Sequence, residues 1–221
     1  MTRTHRSLPL AIAFLLAACA SLTKQEPFTV YAPRYSAPPA TAPGAAVPWQ
    51  LAIDTPMASD ALDTTRMLVM PTPGVLETYK GARWSDTAPR LLRGLLLQAF
   101  QDSGRITGVG AVTSGLHADF GLTTDLYDFE TQYRDGSAHA TIRLNARLTD
   151  FSANRIAAAH SFQADAPVSG AQPGEAAAAF EQALATLLPQ IVDWTLEQGQ
   201  AQWAARKASR AESRESGETS G

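Results

Sequence analysis

Cysteine is nearly missing from this chain. Cys19 is the sole one among 221 residues, which excludes an intramolecular disulfide, a CxxC redox pair and a thiolate zinc cage. Histidine is sparse as well. His5, His117, His139 and His160 are scattered, and none stands in a ligand pair such as HExxH. Surface or half-buried histidines account for them better than a metal centre does. Ser103 and Ser114 have glycine neighbours but not the Gly-x-Ser-x-Gly frame of a nucleophile elbow. Gly104, Gly108 and Gly110 lack the following Lys-Ser/Thr of a phosphate loop, so they read as a flexible helix-to-strand connection. No cluster of basic residues is present, which argues against nucleic acid as a partner. Long apolar runs are missing too: the longest, Leu8 to Ala18, has eleven residues including Pro9, short of the roughly 20 that span a bilayer.

That short run has another meaning. Arg3 and Arg6 precede it, no acidic residue occurs before Glu26, and Leu16-Ala17-Ala18-Cys19 closes it. Positive start, apolar middle and small-residue end are the three parts of an export signal. Two alanines suit a narrow peptidase site, and the thiol supplies the atom to be alkylated. Met1 to Ala18 therefore read as a lipoprotein signal, cleaved between Ala18 and Cys19. Cys19 is expected to carry a diacylglycerol and a further fatty acyl chain, and no other cofactor is expected. Lipidation also explains a lone cysteine in an exported protein. Ala20 and Ser21 follow rather than aspartate, which points to the periplasmic face of the outer membrane over the inner.

Without the signal, 203 residues remain, with 16 basic against 21 acidic side chains and a net charge of −5. At 45% hydrophobic residues, the chain can build a core for one domain with tethers. Ser36 to Pro48 holds four prolines and five alanines in thirteen residues. It reads as an extended, semi-rigid connector. Residues 19–48 thus form a lipid-anchored segment, although Phe28 to Tyr31 is strand-like and can belong to the fold. The domain is expected over 49–198. From Gly199 to Gly221 charge alternates with alanine and serine without an apolar stripe, the pattern of a disordered tail.

Trp49–Ile53, Arg66–Met70 and Val75–Tyr79 are short apolar runs fenced by proline and glycine, so strands are expected. Between Asp86 and Gln101 the period changes. Leu91, Leu92, Leu95, Leu96, Ala99 and Phe100 share one stripe, and Pro89 suits a first turn, predicting a helix. Ile106–Val112 is weakly strand-like. Ala118–Leu126, Ala140–Leu148 and Ile156–Gln163 alternate with period two, a turn intervening at Arg134-Asp135-Gly136-Ser137, which predicts an antiparallel meander. Ala177, Phe180, Leu184, Leu187, Leu188, Ile191 and Thr195 mark a last helix that Pro189 should kink or interrupt. The fold class expected is α/β (α+β): a mixed, largely antiparallel sheet of about five to six strands with two main flanking helices. Asp119, Asp125, Asp128 and Glu130 are the remaining candidates for catalysis. Asp119 and Asp125 share a strand face but stand roughly 20 Å apart at strand spacing, too far for an acid/base pair. No enzyme is read here.

Tyr79, Trp84, Pro89, Leu92, Leu96, Phe100 and Ser103-Gly104 together resemble the pattern of the ABC-type transport auxiliary lipoprotein family, the PqiC-like proteins. Leu62-Asp63-Thr64-Thr65-Arg66 leading into Met67-Leu68-Val69 is similar to the stretch those proteins carry upstream. Ala118-Asp119-Phe120, with Leu122, Leu126 and Phe129, looks like their central strand. The resemblance covers roughly Phe28 to Thr195. It implies a fold similar to the anticodon-binding-domain and TolB N-terminal shapes, and an accessory role in lipid transport beside an MCE-domain protein and an ABC permease and ATPase. It implies no catalytic residues. Self-association, the lipid cargo and lipid binding by the domain itself stay open. So does a second role, as an assembly lipoprotein of another outer-membrane complex. Within the motif, Trp84 reads either as a core or rim residue or, with Tyr79, as a partner-docking surface.

Overall fold

A computed structural model describes residues 27–36, 46–115 and 117–218. Cys19 and its signal, residues 37–45 of the connector and the last three residues lie outside them. The described chain forms β1 (Thr29–Tyr31), β2 (Val47–Ile53), β3 (Met57–Ala58), β4 (Arg66–Thr72) and β5 (Val75–Trp84). Helix α1 (Ala88–Asp102) and β6 (Ile106–Ala111) follow, then β7 (Phe120–Arg134), β8 (Ser137–Asp150), β9 (Arg155–Pro167) and α2 (Pro173–Glu218). The mixed sheet and its two helices agree with the class expected. The sheet has nine strands and not five to six; β1 and β3, of three and two residues, are among those that join the ladder.

Strand β7 is the spine. One edge takes β8 antiparallel along its whole length, from Phe120↔Asp150 to Arg134↔Ser137. The other edge is shared by three parallel partners in succession: β2 at Phe120–Leu122, β3 at Asp125–Leu126 and β4 at Glu130–Gln132. Two wings grow from it, β6 beside β2, and β5 then β1 beside β4. The β7–β8 turn is Asp135-Gly136, with φ of 50° and 76°. That pair of left-handed residues gives the two-residue hairpin whose twist matches its strands. An extra residue near Tyr127 shifts the register between Leu126 and Asp128. The bulge lets Leu126 and Phe129, three apart, both face the core.

Alternation then sorts the faces. Ala140, Ile142, Leu144, Ala146 and Leu148 of β8 are fully buried, as are Phe120 and Leu122 of β7. Helix α2 packs on β8 and β9, α1 packs on β6 and β2, and the helices touch each other. Leu92, Leu95, Leu96, Ala99 and Phe100 bury the stripe of α1, and Phe180, Leu184, Leu187, Leu188 and Ile191 that of α2. Each buried large apolar side chain contributes about 1.5–3 kcal/mol, so these two faces add substantially to the core that the strands supply.

The C-terminal segment differs from the expectation. Instead of a disordered tail from Gly199, α2 continues unbroken to Glu218, and Pro189 sits inside it without interrupting it. Alanine, glutamine, arginine, lysine and glutamate after Gly199 are strong helix formers, and extending an existing helix avoids the cost of nucleation. Tertiary contacts reach further than an apolar stripe would show. Trp49 Nε1 donates to Gln200 Oε1 at 3.3 Å, and Arg155 donates to Gln202 Oε1 at 2.9 Å. The Arg206 guanidinium lies 5.2 Å from the Phe120 ring centroid and 5.3 Å from that of Trp203. From Lys207 to Ser213 every residue is exposed.

Gly199 is therefore a contact and not a stop. A Cβ there would lie 2.5 Å from Trp49 Cζ2 and 2.7 Å from Cη2. Trp49 cannot yield easily, being 1% exposed and edge-on to Phe120 at 5.0 Å. Alanine gains about 1 kcal/mol of helix propensity over glycine, but overpacking costs about 1–3 kcal/mol. Gly199→Ala is expected to destabilise by up to about 2 kcal/mol. Urea unfolding checks this, and a stabilised variant would contradict the packing described.

Candidate functional site

Ala18 and Cys19, the expected cleavage site and anchor, lie outside the described residues. The chain leading from them joins the fold at β1. That strand pairs in parallel with the end of β5 through Thr29↔Ala82, Val30↔Arg83 and Tyr31↔Trp84. Trp84 is thus held from two sides, since its N–H also donates to Thr65 O at 2.7 Å. Its ring meets Phe129 edge-on at 5.8 Å and Phe180 at 5.2 Å, while those two stack on each other at 4.7 Å. At 3% exposure Trp84 belongs to the core, so in this fold it offers no surface for docking. Tyr79 is half-buried on the same strand, and burial pushes its phenol above the usual value.

The carboxylates of β7 come apart as separate structural groups. Asp125 pairs with Arg147 and Asp128 with Arg143, both across the β7–β8 ladder. Asp119 Oδ2 accepts the Gln50 N–H at 2.9 Å and so fastens β2 to the start of β7. Glu130 is 2% exposed. Its oxygens accept from the Phe129 N–H and Gln132 Nε2, each at 2.7 Å. Burial raises its pKa against the effect of those two bonds. His139 faces Pro167 in the β8–β9 register, and His160 faces Ala146, seven residues along β8. Among the described residues no three histidine or acidic side chains gather as metal ligands.

One ionic cluster was not legible beforehand, because its members are 119, 150 and 206. Arg206 stands 2.9 Å from Asp150 Oδ1 and 3.8 Å from Asp119 Oδ1. Asp150 also accepts the N–H groups of Ser152 and Ala153 and the Ser152 hydroxyl. Burial alone would raise the Asp150 pKa. The Ser152 and Ala153 bonds and the Arg206 charge outweigh it and hold it below the ordinary 3.8. A depressed folded pKa means stability that is complete above the unfolded value and lost as pH falls through the folded one. Arg206→Met is therefore expected to cost about 1–3 kcal/mol at pH 7. It should also lose less additional stability than the wild type on acidification below pH about 4. Urea titrations at neutral and acid pH check both, and identical acid sensitivity would show the pair to be unimportant.

Together these groups fasten strands and helices to one another. The sequence from 33 to 192 matches the family model of the ABC-type transport auxiliary lipoprotein component. The chain belongs to this family. Its fold is shared with a protein of Xanthomonas campestris at 37% identity and a TM-score of 0.75, over 80% of this chain and 99% of that one. An uncharacterized protein of known crystal structure is similar in fold alone, with 14% identity and a TM-score of 0.60 over 76% of this chain and 98% of that one. An uncharacterized protein of Bradyrhizobium diazoefficiens is 30% identical over 147 residues, 66% of this chain. The match spans only 39% of that longer relative. The family resemblance read from the Tyr79 to Gly104 stretch and its flanks is confirmed. Among the described residues no helix is long and apolar enough to cross a membrane.

Proposed function

We propose that this protein is a membrane-tethered periplasmic accessory lipoprotein of an ABC/MCE-type lipid-transport system. It acts by docking between the inner and outer membranes and not by catalysis. The observation that carries the proposal is the family match across 33–192, joined to a signal that ends in Leu16-Ala17-Ala18-Cys19. Acyl chains on Cys19 hold the domain at the periplasmic face of the outer membrane. The Pro/Ala connector interrupts the chain between β1 and β2, inside the domain, so reach from the membrane comes from residues 20–28. The partners are an MCE-domain protein and, through it, an ABC permease and ATPase.

Docking should be visible as copurification. From native membranes solubilised in mild detergent, the protein is expected to bring down an MCE-domain protein and to show no hydrolase activity. Recovery of an unrelated outer-membrane complex in its place would favour the assembly role. A preparation with no MCE protein would count against the transport role altogether.

A further inference from the structure

Three of the four arginines of the meander have carboxylates, Arg134 with Asp165, Arg143 with Asp128 and Arg147 with Asp125, and the fourth, Arg155, donates to Gln202. The far wing of the sheet is different. Arg66 of β4 and Arg83 of β5 are direct cross-strand partners, and Lys80 stands three residues before Arg83. All three are exposed. Among the described residues none of them has an ion-pair partner. Like charges opposite one another weaken an antiparallel pair, so this wing holds charge that its own chain does not neutralise. The three cations line an open groove of about 500 Å³ together with Phe28. The Arg83 guanidinium lies 4.6 Å from the Phe28 ring centroid. Phe28 is 48% exposed and Val30 52%.

The place of this groove is as telling as its charge. Phe28 is nine residues after Cys19, and nine residues fully extended span at most roughly 30 Å. An acylated Cys19 thus confines this wing to within about that distance of a bilayer surface. The mature chain carries a net charge of −5, so as a whole it is repelled by an anionic surface. Attraction must come from a local patch. Guanidinium groups match phosphate oxygens in fork geometry, and an exposed aromatic beside cations suits the headgroup boundary.

We propose that Arg66, Lys80 and Arg83, with Phe28 and Val30, form a second membrane contact that seats on anionic phospholipid headgroups of the anchoring bilayer. The acyl chains give retention; the groove gives orientation, turning the β1–β5 edge toward the lipid. The inference rests on the anchor at Cys19 for its setting, but the groove can be tested without acylation.

The test uses the mature chain carrying Cys19→Ser, produced unacylated, in flotation with phosphatidylcholine vesicles with and without phosphatidylglycerol. It is expected to float with the phosphatidylglycerol vesicles at low salt, and to be released at high salt and from phosphatidylcholine alone. Each cation near an anionic surface is worth about a factor of five in partitioning. The combined variant Arg66→Gln, Lys80→Gln, Arg83→Gln is therefore expected to bind on the order of 100-fold less. Lys207→Gln with Arg210→Gln, on the exposed end of α2, should leave binding nearly unchanged. If the triple variant loses its circular dichroism, Lys80→Gln alone, on an exposed side chain, is expected to bind about fivefold less. Wild-type binding by a folded triple variant, equal loss in the α2 variant, or equal binding to both vesicle types would overturn the proposal. So would displacement by inorganic phosphate well beyond that by chloride at equal ionic strength, which would make the groove a small-anion site. None of these results bears on whether Cys19 is acylated.

Discussion

Exporting the mature chain behind an ordinary signal, with Cys19→Ser, is expected to move the protein from the membrane fraction to the soluble periplasmic fraction. The physical reason is the size of the acyl contribution. Burial of a methylene group is worth about 0.8 kcal/mol, and one long chain alone gives only marginal, reversible binding while two or more hold firmly. Serine lacks the sulfur that receives the diacylglycerol. The three cations of the β4–β5 groove cannot replace it, because their attraction is screened at high salt. A high-salt wash therefore separates the two contributions: the acylated protein stays with the membrane and the serine variant leaves it. Mass spectrometry of the wild-type N-terminal peptide should show a modified Cys19 with Met1 to Ala18 removed. Persistence of the variant in the washed membrane, or an unmodified thiol in the wild type, would remove the anchor and with it the tethered role.

How far the fold could be read in advance depended on how local its causes are. The α1 stripe at Leu92, Leu96 and Phe100 and the alternation of Ala140 to Leu148 repeat within a few residues, so period and class were legible. The Asp135-Gly136 turn was legible because few residues accept two positive φ angles in succession. The forked edge of β7 was not. Its three parallel partners come from 51–53, 57–58 and 68–70, and nothing in those short runs states which edge each will join. The continuation of α2 past Gly199 was missed for a related reason. Its supports are single long-range contacts of Gln200, Gln202 and Arg206 with residues 49, 155 and 150, and these leave no periodic trace. Glycine at 199 even pointed the wrong way, since a residue tolerated for close approach to Trp49 has the same spelling as a helix terminator.

The functional groups divide along the same line. The proposed anchor at Cys19 is legible from its neighbours, because a signal peptidase would read a short linear segment. The groove of Arg66, Lys80 and Arg83 is invisible in a charge count. Seventeen positions separate its first and last members in the chain, and only the β4–β5 register sets Arg66 opposite Arg83, with Lys80 lining the same groove. A net charge of −5 even conceals it. Absence of a basic run in the sequence argues against a linear basic motif, and it leaves room for a folded one.

Trp84 provides the sharpest separation between a residue that holds the fold and one that meets a partner. Trp84→Ala is expected to destabilise the domain by about 3–5 kcal/mol. Total stabilities of single domains are only about 5–15 kcal/mol, so much of the population should be unfolded at moderate urea. The loss combines apolar burial with edge contacts to Phe129 and Phe180, each such aromatic pair adding about 0.5–1.5 kcal/mol. Trp84→Phe keeps most of the volume and should cost less than half as much. Tyr79→Phe, at a half-buried position, should change stability by less than about 1 kcal/mol. Urea unfolding followed by far-UV circular dichroism ranks the three. A Trp84→Ala protein that unfolds like the wild type yet no longer copurifies with the proposed MCE partner would return Trp84 to the surface. That outcome would require β1 and β5 to separate, exposing the ring that Phe129 and Phe180 now enclose.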